Sequence, residues 1–341
     1  MPSSKELPPS KTPFFPNQFI KNQFCSTPRL PPEDTDLSGK VAIVTGSNSG
    51  LGFECARQFL SFKLSHLIIA VRTAAKGEDA AAKLREQYPN ATIAVWLLDM
   101  SSYESIQAFT ARAEKELTRL DIAILNAGVV GASFKIVPGT GHEEAVQINF
   151  LSTMFLAILL LPILKNKSPA GFPGRLTIVT TMLSLTAKFA NKKADPLLPS
   201  FDDEKSFDSV DRYPTSKLLG QLFLWKLTES VSAEDVIVNM VEPGFVKGTE
   251  LQRDAPMAVK IFLNTLKAVS ARTVKVGAST YLDASIVKKK DTHGSLLMNW
   301  DIAPYPAFVY SPEGKEVMER LWEETLKEFS SIDVNEILGS L

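Results

Sequence analysis

Short apolar segments alternate with longer amphipathic ones from residue 40 onward. The short runs are rich in β-branched side chains and predict six strands, at 41–45, 66–71, 92–99, 122–127, 175–181 and 236–243. The longer stretches have helical periodicity and predict five helices, at 54–63, 76–87, 103–119, 143–164 and 215–230. Apolar strands that alternate with covering helices are typical of a parallel sheet buried on both faces. The pattern therefore predicts a doubly wound α/β fold.

Several segments lie outside this alternation. Residues 1–38 are rich in proline and predict an extended, partly disordered arm before a single domain at 39–330, which a tail at 331–341 follows. Residues 182–212 separate a strand from the next helix by more than the usual distance, and predict a surface lid or insertion. Residues 249–275 are amphipathic, which fits either a segment that covers a ligand cleft or ordinary packing helices.

The composition is that of an ordinary soluble globular protein. Of the 341 residues, 45% are hydrophobic and 22% charged, which excludes a long disordered chain and a collagen-like one. With 37 basic and 38 acidic side chains the net charge is −1, so nucleic acid is not a predicted partner. Two cysteines, Cys25 and Cys55, argue against a disulfide scaffold, and predict a reducing, cytoplasmic location.

Neither a membrane span nor a metal site is predicted. The most apolar run, 150–164, has 15 residues and contains Pro162, whereas a bilayer span needs about 20 residues, so a buried helix is predicted. The histidines at 66, 142 and 293 have no second ligand at metal spacing. No G-x-S-x-G motif is present, which leaves a hydrolase on this sheet without support.

A glycine-rich turn joins the first strand to the first helix. Glycines let the backbone turn tightly and approach a pyrophosphate, whose charge the amides and dipole of the helix N-terminus stabilise. Glycines alone would also suit a plain tight turn, but the strand and helix around them favour dinucleotide binding. The predicted contacts are Gly46, Asn48, Ser49, Gly50, Leu51 and Gly52.

Tyr213 and Lys217 are four residues apart in a predicted helix and therefore share one face. An ammonium beside a phenol favours the phenolate. Lowering a phenol pKa from about 10 to near 7 takes roughly 4 kcal/mol, which Lys217 and an oxidised nicotinamide together would supply. Tyr213 is therefore the predicted general acid/base.

These motifs occur in an order that resembles the short-chain dehydrogenase/reductase family. The TGxxxGxG turn is followed by Asn126-Ala127-Gly128, Asn149, Tyr213-Pro214-Thr215-Ser216-Lys217 and Pro243-Gly244, so the resemblance covers residues 40 to about 250. Residues 310–328 resemble the fungal, retinol-dehydrogenase-like branch. The resemblance implies a Rossmann-type fold and hydride transfer between a nicotinamide and a carbonyl or alcohol.

The resemblance also implies the roles of further residues. Lys217 would bind the nicotinamide ribose, and Asn149 would hold a water that links Lys217 to solvent. Thr181 stands where the family places its catalytic serine; threonine keeps the hydroxyl but adds a methyl and stiffens χ1. Ser184 is a second candidate for that position. Asp99 would meet the adenine amine, and the remaining implied cofactor contacts are Asn126, Gly128, Pro243, Val246 and Thr249.

Arg72 follows the second strand, and no acidic side chain precedes it at position 70 or 71. An aspartate there would bind the 2′-hydroxyl of NAD, whereas an arginine suits a 2′-phosphate. NADP(H) is therefore the predicted cofactor. A solvated arginine at a strand end is the alternative.

The predicted substrate is a bulky apolar carbonyl or alcohol, because the segments expected at the cleft supply Met182, Leu183, Leu185, Phe189, Phe201, Phe207, Met257, Ile261, Phe262 and Leu263. A fungal secondary metabolite is the first expectation, and a lipid-like aldehyde or retinoid the next. An NADP(H) enzyme in a cell that keeps this pool reduced would run as a reductase. The rivals are an NADP(H)-loaded sensor or scaffold, and a cyclase or dehydratase that uses the same pocket.

The resemblance also implies a possible homodimer. The family often pairs through long helices, here those at 103–119, 143–164 and 215–230. Packing within one chain would explain the same apolar faces.

Overall fold

The computed structural model describes residues 2–10, 12, 14–249, 267 and 270–341. The strands in these residues are β1 (Val41–Thr45), β2 (His66–Val71), β3 (Thr92–Leu97), β4 (Ile122–Leu125), β5 (Gly174–Val179), β6 (Val236–Glu242), β7 (Leu296–Met298) and β8 (Asp301–Ala303). They form one sheet in the order β3-β2-β1-β4-β5-β6-β7-β8. Neighbours pair in parallel except β7 and β8, which are antiparallel. The predicted Rossmann-type fold is confirmed.

The helices cover both faces of this sheet. They are α1 (Phe19–Phe24), α2 (Gly50–Ser61), α3 (Ala74–Gln87), α4 (Tyr103–Glu116), α5 (Glu144–Lys167), α6 (Arg212–Leu227), α7 (Val274–Leu282), α8 (Ala307–Tyr310), α9 (Pro312–Glu328) and α10 (Val334–Gly339). One apolar cluster lies between the sheet and α4 to α6, and a second between the sheet and α2, α3 and α7. Because the sheet is covered on both faces, its parallel strands carry apolar side chains on both sides.

The sequence pattern missed β7 and β8. Each has only three residues, too few to show a period of two. Four of the predicted strands also end earlier than expected, because the chain leaves the sheet to form the loops at its carboxyl edge.

The 182–212 segment is partly packed into the core. It forms short 3₁₀ turns at Met182–Thr186, Ala190–Lys193, Leu198–Phe201 and Glu204–Ser206. Phe189 and Phe201 are fully buried, and their rings stack with centroids 6.2 Å apart. The expectation that these two side chains line a substrate cleft is therefore wrong, because they fill the core instead.

The proline-rich arm, expected to be extended, carries α1 and contacts the far edge of the sheet. The Ser4 hydroxyl donates to Ala303 O (2.5 Å) and accepts from Leu296 N (2.8 Å). Gln23 bonds both the amide and the carbonyl of Phe245, at 3.1 and 2.9 Å. These polar contacts are made to backbone groups of β7, β8 and the loop after β6, and they hold the arm against this edge of the sheet.

α5 is longer than predicted. In the described residues it is the one helix long and apolar enough to cross a membrane, but 89% of its most apolar window is buried inside the chain. The C-terminal helices cover α5 and α6: α10 packs on α5, and α9 on α6. A dimer through the outer faces of α5 and α6 would have to displace these two helices.

Candidate active site

The loops that follow β1, β4, β5 and β6 meet at the carboxyl edge of the sheet. The strand order reverses between β1 and β4, which lie side by side although β2 and β3 separate them in the chain. In open α/β sheets a ligand crevice lies outside the strands at this reversal.

The glycine-rich turn has the backbone that its residues predict. Gly46 and Gly50 have φ values of +64° and +57°, in the left-handed region that favours glycine. At Gly52 a Cβ would lie 2.5 Å from Gly46 O and 2.6 Å from Nδ2 of Asn126. The turn therefore approaches its neighbours too closely for any side chain at Gly52, and this cradle fits a pyrophosphate.

The N-terminus of α2 faces the same turn. Ser49 is the N-cap residue, and its side chain makes no capping hydrogen bond. Asn48, Ser49 and Leu51 are half-buried, whereas Ser47 is buried and its hydroxyl donates to Val44 O (2.7 Å). The first amides of the helix are thus left to an anionic ligand.

Asn126 ties the turn to the end of β4. Its Nδ2 donates to Thr45 O (2.9 Å), and its Oδ1 accepts from the Tyr281 hydroxyl (3.1 Å). Gly128, two residues on, lies against Asn149, since a Cβ there would be 3.0 Å from Asn149 Oδ1. The structure therefore brings the Asn126-Ala127-Gly128 motif between the glycine turn and the catalytic candidates.

The two residues predicted to contact the adenosine part of the cofactor, Arg72 and Asp99, each follow a strand. Arg72 directly follows β2 and is exposed. Asp99 follows β3, where its carboxylate accepts from the amide (2.9 Å) and hydroxyl (2.7 Å) of Ser101.

Asn149 lies in a π-helical turn, Gln147–Ser152, within α5. Its side chain accepts from Val129 N (2.8 Å), and donates to Val129 O (2.8 Å) and to Ser216 Oγ (3.0 Å). Ser216 in turn donates to Tyr213 O (2.9 Å). The side chain of Asn149 thus joins the loop after β4 to the first turn of α6.

Lys217 and Tyr213 are both on α6. The Lys217 amine donates to Val179 O (2.9 Å), and burial lowers the pKa of Lys217 to about 8. Burial raises the pKa of Tyr213 well above its ordinary value, and the charge of Glu242 raises it further. Lys217 and an oxidised nicotinamide together are expected to lower the phenol pKa; in the chain itself burial is the largest influence and raises it.

Of the two candidate hydroxyls, that of Thr181 is the one that lies near the Tyr213 phenol. The Thr181 side chain lies close enough to the phenol to lower the Tyr213 pKa in part, and it accepts from Leu183 N (3.2 Å). Ser184, the other candidate, is buried; its hydroxyl donates to Thr181 O (2.8 Å) and accepts from Gln221 (2.9 Å). The contacts therefore favour Thr181 over Ser184.

The loop after β6 closes the site. Val246 is buried and forms an isolated bridge with Arg272. Thr249 lies beside the glycine turn, 3.8 Å from the position of a Cβ on Gly50. Pro243 accepts from the Arg272 guanidinium (3.2 Å). Most of the segment 249–275 lies outside the described residues, including the predicted cleft residues Met257, Ile261, Phe262 and Leu263.

Glu242 and Tyr281 are buried at the carboxyl edge of the sheet, and neither belongs to the motifs named above. The signal for Glu242 was present in the chain: an acidic residue is the last of an otherwise apolar strand, directly before Pro243-Gly244. Nothing in the local pattern around Tyr281 marks it, because its contact with Asn126 joins distant parts of the chain.

The described residues contain no group of three histidine, cysteine, aspartate or glutamate side chains that could hold a metal ion. Both cysteines are free.

The family model and the relatives that this chain matches are described as short chain dehydrogenases. Residues 40–190 match the family model for short chain dehydrogenase. A short chain dehydrogenase/reductase, mfmJ of Annulohypoxylon moriforme, is 59% identical over 341 residues, which cover 100% of this chain and 99% of that protein. The short chain dehydrogenase virL of Hypocrea virens is 43% identical over 95% of this chain and 94% of its own.

A similar fold is found among solved structures. The crystal structure of L-sorbose reductase from Gluconobacter frateurii, complexed with NADPH and L-sorbose, superposes with a TM-score of 0.58. The two sequences are 20% identical, and the match covers 77% of this chain and 95% of that one.

Proposed function

This chain belongs to the short-chain dehydrogenase/reductase family, and from that premise we propose that it is an NADP(H)-dependent oxidoreductase that reduces a bulky apolar carbonyl compound. One observation carries the proposal: α6 carries Tyr213 and Lys217 to the end of β5, where the Lys217 amine donates to Val179 O (2.9 Å) and Thr181 lies close enough to the Tyr213 phenol to lower its pKa in part. A carbonyl oxygen held by both hydroxyls would receive a proton from Tyr213 as the carbon is reduced.

NADPH, when bound, supplies the hydride. The protein's part is to hold the carbonyl and to give the proton. Because burial raises the pKa of Tyr213, the phenol is protonated at neutral pH and is ready to donate. Thr181 would orient the carbonyl oxygen toward it. The reductive direction follows from an NADP(H) pool that the cell keeps reduced, since these residues would serve both directions of the reaction.

Lys217 and Asn149 would restore the proton to Tyr213. Burial lowers the Lys217 pKa to about 8, so this ammonium releases a proton more readily than an ordinary lysine. Asn149 holds the loop after β4 against the first turn of α6. In the proposal this loop positions a water that connects Lys217 to solvent.

The cofactor residues proposed are those of the glycine turn together with Arg72, Asp99, Asn126, Gly128, Pro243, Val246 and Thr249. The Gly52 cradle fits a pyrophosphate, and the exposed Arg72 fits a 2′-phosphate. The similar L-sorbose reductase was solved with NADPH, which supports the same choice here.

The substrate class rests on the apolar side chains near Thr181. The Leu183 amide donates to Thr181 Oγ1, which places Leu183 beside Thr181. Leu183 is 40% exposed and so offers an apolar surface there. Phe207 of the 182–212 segment pairs with Phe134, their centroids 5.9 Å apart, and offers a second apolar surface. The similar fungal dehydrogenases support a secondary metabolite as substrate. We further propose a cytoplasmic location, and a homodimer that pairs through faces other than those of α5 and α6 that α9 and α10 cover.

Arg72→Ala is expected to weaken NADPH binding at least tenfold and to leave NADH binding unchanged. One charge-assisted contact contributes about 1.5–3 kcal/mol to the binding free energy. Arg72 would make this contact with the adenosine 2′-phosphate, which NADPH carries and NADH lacks. Fluorescence titration with both cofactors measures the two Kd values. Lys83→Ala removes another exposed cation of the following helix and is the control. Equal losses for NADPH and NADH would reject the assignment of Arg72.

Gly52→Ala is expected to lower the free energy of unfolding by about 1–3 kcal/mol and to weaken NADPH binding at least tenfold. The new Cβ would meet Gly46 O at 2.5 Å, so the phosphate-binding turn must shift. Thermal unfolding and fluorescence titration measure both effects. Gly139→Ala is the matched control, because a Cβ there meets nothing within 4 Å. A Gly52→Ala protein that binds NADPH normally would show that the turn is not the phosphate site.

The function itself is tested with the purified full chain, NADPH and a set of apolar aromatic and polyketide-like carbonyl compounds. Loss of NADPH absorbance in step with product formation supports the reductase. Product without any change in absorbance would favour the cyclase or dehydratase, and NADPH binding without turnover of any compound would favour the sensor. No binding of either cofactor would overturn the oxidoreductase proposal.

A further inference from the structure

The helix α1 of the N-terminal arm contacts the loop after β6, residues 243–249. The side chain of Gln23 donates from Nε2 to the carbonyls of Phe245 (2.9 Å) and Ser270 (2.8 Å). Its Oε1 accepts from Phe245 N (3.1 Å). The ring of Phe19, one helical turn earlier, lies 6.1 Å from the Phe245 ring. One side chain of the arm therefore bonds both backbone groups of Phe245.

Arg272 joins the same part of the arm to this loop. Its guanidinium donates to Asn22 O (2.5 Å), to Pro243 O (3.2 Å) and to the side chain of Asn299. Asn299, in the turn between β7 and β8, donates to Asn22 Oδ1 (2.6 Å). The Arg272 amide donates to Phe245 O (2.8 Å). The arm, the loop after β6 and the β7–β8 turn are therefore held by one hydrogen-bond network.

Two residues of the same loop lie beside the glycine turn. A Cβ on Gly277 would be 2.7 Å from the Val246 side chain and 2.8 Å from that of Leu51, so both side chains pack over the same point of α7. Thr249 lies 3.8 Å from the position of a Cβ on Gly50. The loop after β6 therefore contacts both the arm and the proposed pyrophosphate cradle.

Glycines on either side of Phe245 leave this loop many alternative conformations. Gly244 and Gly248 have φ values of +87° and +79°, which glycine adopts without strain. The backbone of a loop with this freedom is fixed by contacts from outside it. The hydrogen bonds of Gln23 supply such contacts at Phe245, between the two glycines.

We propose that Gln23 is a positioning residue for the cofactor: by holding Phe245 it keeps the loop after β6 where Val246 and Thr249 contact bound NADP(H). The inference rests on the proposed function, because these loop residues belong to the proposed cofactor site. It gives a binding role to the arm, which precedes the residues that match the family model. A loop that is in place for only part of the time lowers the apparent affinity by that fraction.

The competing explanation is that the arm only stabilises the fold. Coupling between two binding events is reciprocal, so an arm that favours NADPH binding is itself held more tightly when NADPH is bound. An arm with a purely structural role lowers the unfolding temperature when it is weakened, but its docking does not respond to the cofactor. Cofactor-dependent docking therefore separates the two explanations.

The first measurement is the Kd for NADPH, by fluorescence titration of the full-length chain. Gln23→Ala is expected to raise this Kd roughly fivefold or more, as the loss of one or more neutral hydrogen bonds would. Ser4→Ala is the matched control, since Ser4 bonds the arm to Leu296 N and Ala303 O and has no contact with the loop after β6. Ser4→Ala should lower the unfolding temperature and leave the Kd unchanged.

The second measurement is hydrogen exchange of the amides at 19–25, in α1 and its C-cap. In the wild type this exchange is expected to slow roughly fivefold when NADPH is bound, by the same reciprocity. In Gln23→Ala the cofactor should have no effect on it. This readout needs neither a substrate nor turnover.

An unchanged Kd in Gln23→Ala would overturn the inference, and so would wild-type exchange in α1 that NADPH does not alter. An equal rise in Kd for Ser4→Ala would also overturn it, because general loosening of the arm would then be the cause. Failure of the wild type to bind NADPH would reject the proposed function itself. Normal wild-type binding with no effect of Gln23→Ala would reject only the role of Gln23.

Discussion

Tyr213→Phe is expected to lower carbonyl reduction by about 10³-fold and to leave the Kd for NADPH unchanged. The substitution removes the one hydroxyl that would give a proton to the substrate, and positioned proton transfer contributes about 10²- to 10⁴-fold. The ring stays, so the packing at the start of α6 is kept. Cofactor oxidation and fluorescence titration measure the two quantities.

Tyr88→Phe makes the same chemical change at the end of α3 and should leave turnover as in the wild type. Turnover of Tyr213→Phe within tenfold of the wild type would reject Tyr213 as the acid. If NADPH binding fell as well, the loss would be one of cofactor binding, and the kinetics alone would not support the proposal.

Thr181→Ala is expected to lower turnover at least a hundredfold, which is about 2.7 kcal/mol of transition-state stabilisation. Thr181 lies near the Tyr213 phenol, and its hydroxyl would hold the carbonyl oxygen in line with it. Cofactor affinity should not change, since none of the described contacts of Thr181 involves the glycine turn. Steady-state kinetics and NADPH titration measure both. Near-normal turnover would reject Thr181.

The matched controls for Thr181 are Thr181→Ser and Ser184→Ala. Serine keeps the hydroxyl and loses only the methyl, so this variant should retain most of the turnover. Ser184 is held by Gln221 and donates to Thr181 O. Its removal should cost stability and leave the proton transfer intact. If Ser184→Ala lowered turnover strongly and Thr181→Ala did not, Ser184 would be the residue that supplies the catalytic hydroxyl.

The Tyr213 environment shows the limit of local reasoning. A spacing of four places Tyr213 and Lys217 on one face of a helix, which predicts a phenol pKa lowered by Lys217 and an oxidised nicotinamide together. In the structure the lysine donates to Val179 O, and the phenol pKa is raised by burial and by the charge of Glu242. Both partners come from strands that are remote in sequence. Helix periodicity therefore located the pair but not its electrostatics.

The 182–212 segment shows the same limit for packing. Its length and composition predicted a surface element, and its apolar side chains suggested a cleft. Asp211 accepts from the amides of Lys188 (2.8 Å) and Phe189 (3.1 Å) and so folds the segment back on α6. This places the rings of Phe189 and Phe201 in the core. Nothing local separates an apolar side chain that lines a cleft from one that fills the core.

The sequence by itself determined the parallel α/β sheet, the glycine turn and the order of the catalytic motifs. It could do so because these depend on periodicity, on backbone freedom at single glycines and on short spacings, all of which are local. The tertiary structure decided the docking of the arm, the two short strands β7 and β8, the burial of Phe189 and Phe201, and the desolvation of Tyr213 and Lys217. Each of these depends on burial and on contacts between residues far apart in the chain, and desolvation sets the strength of a charge only once the fold has closed around it.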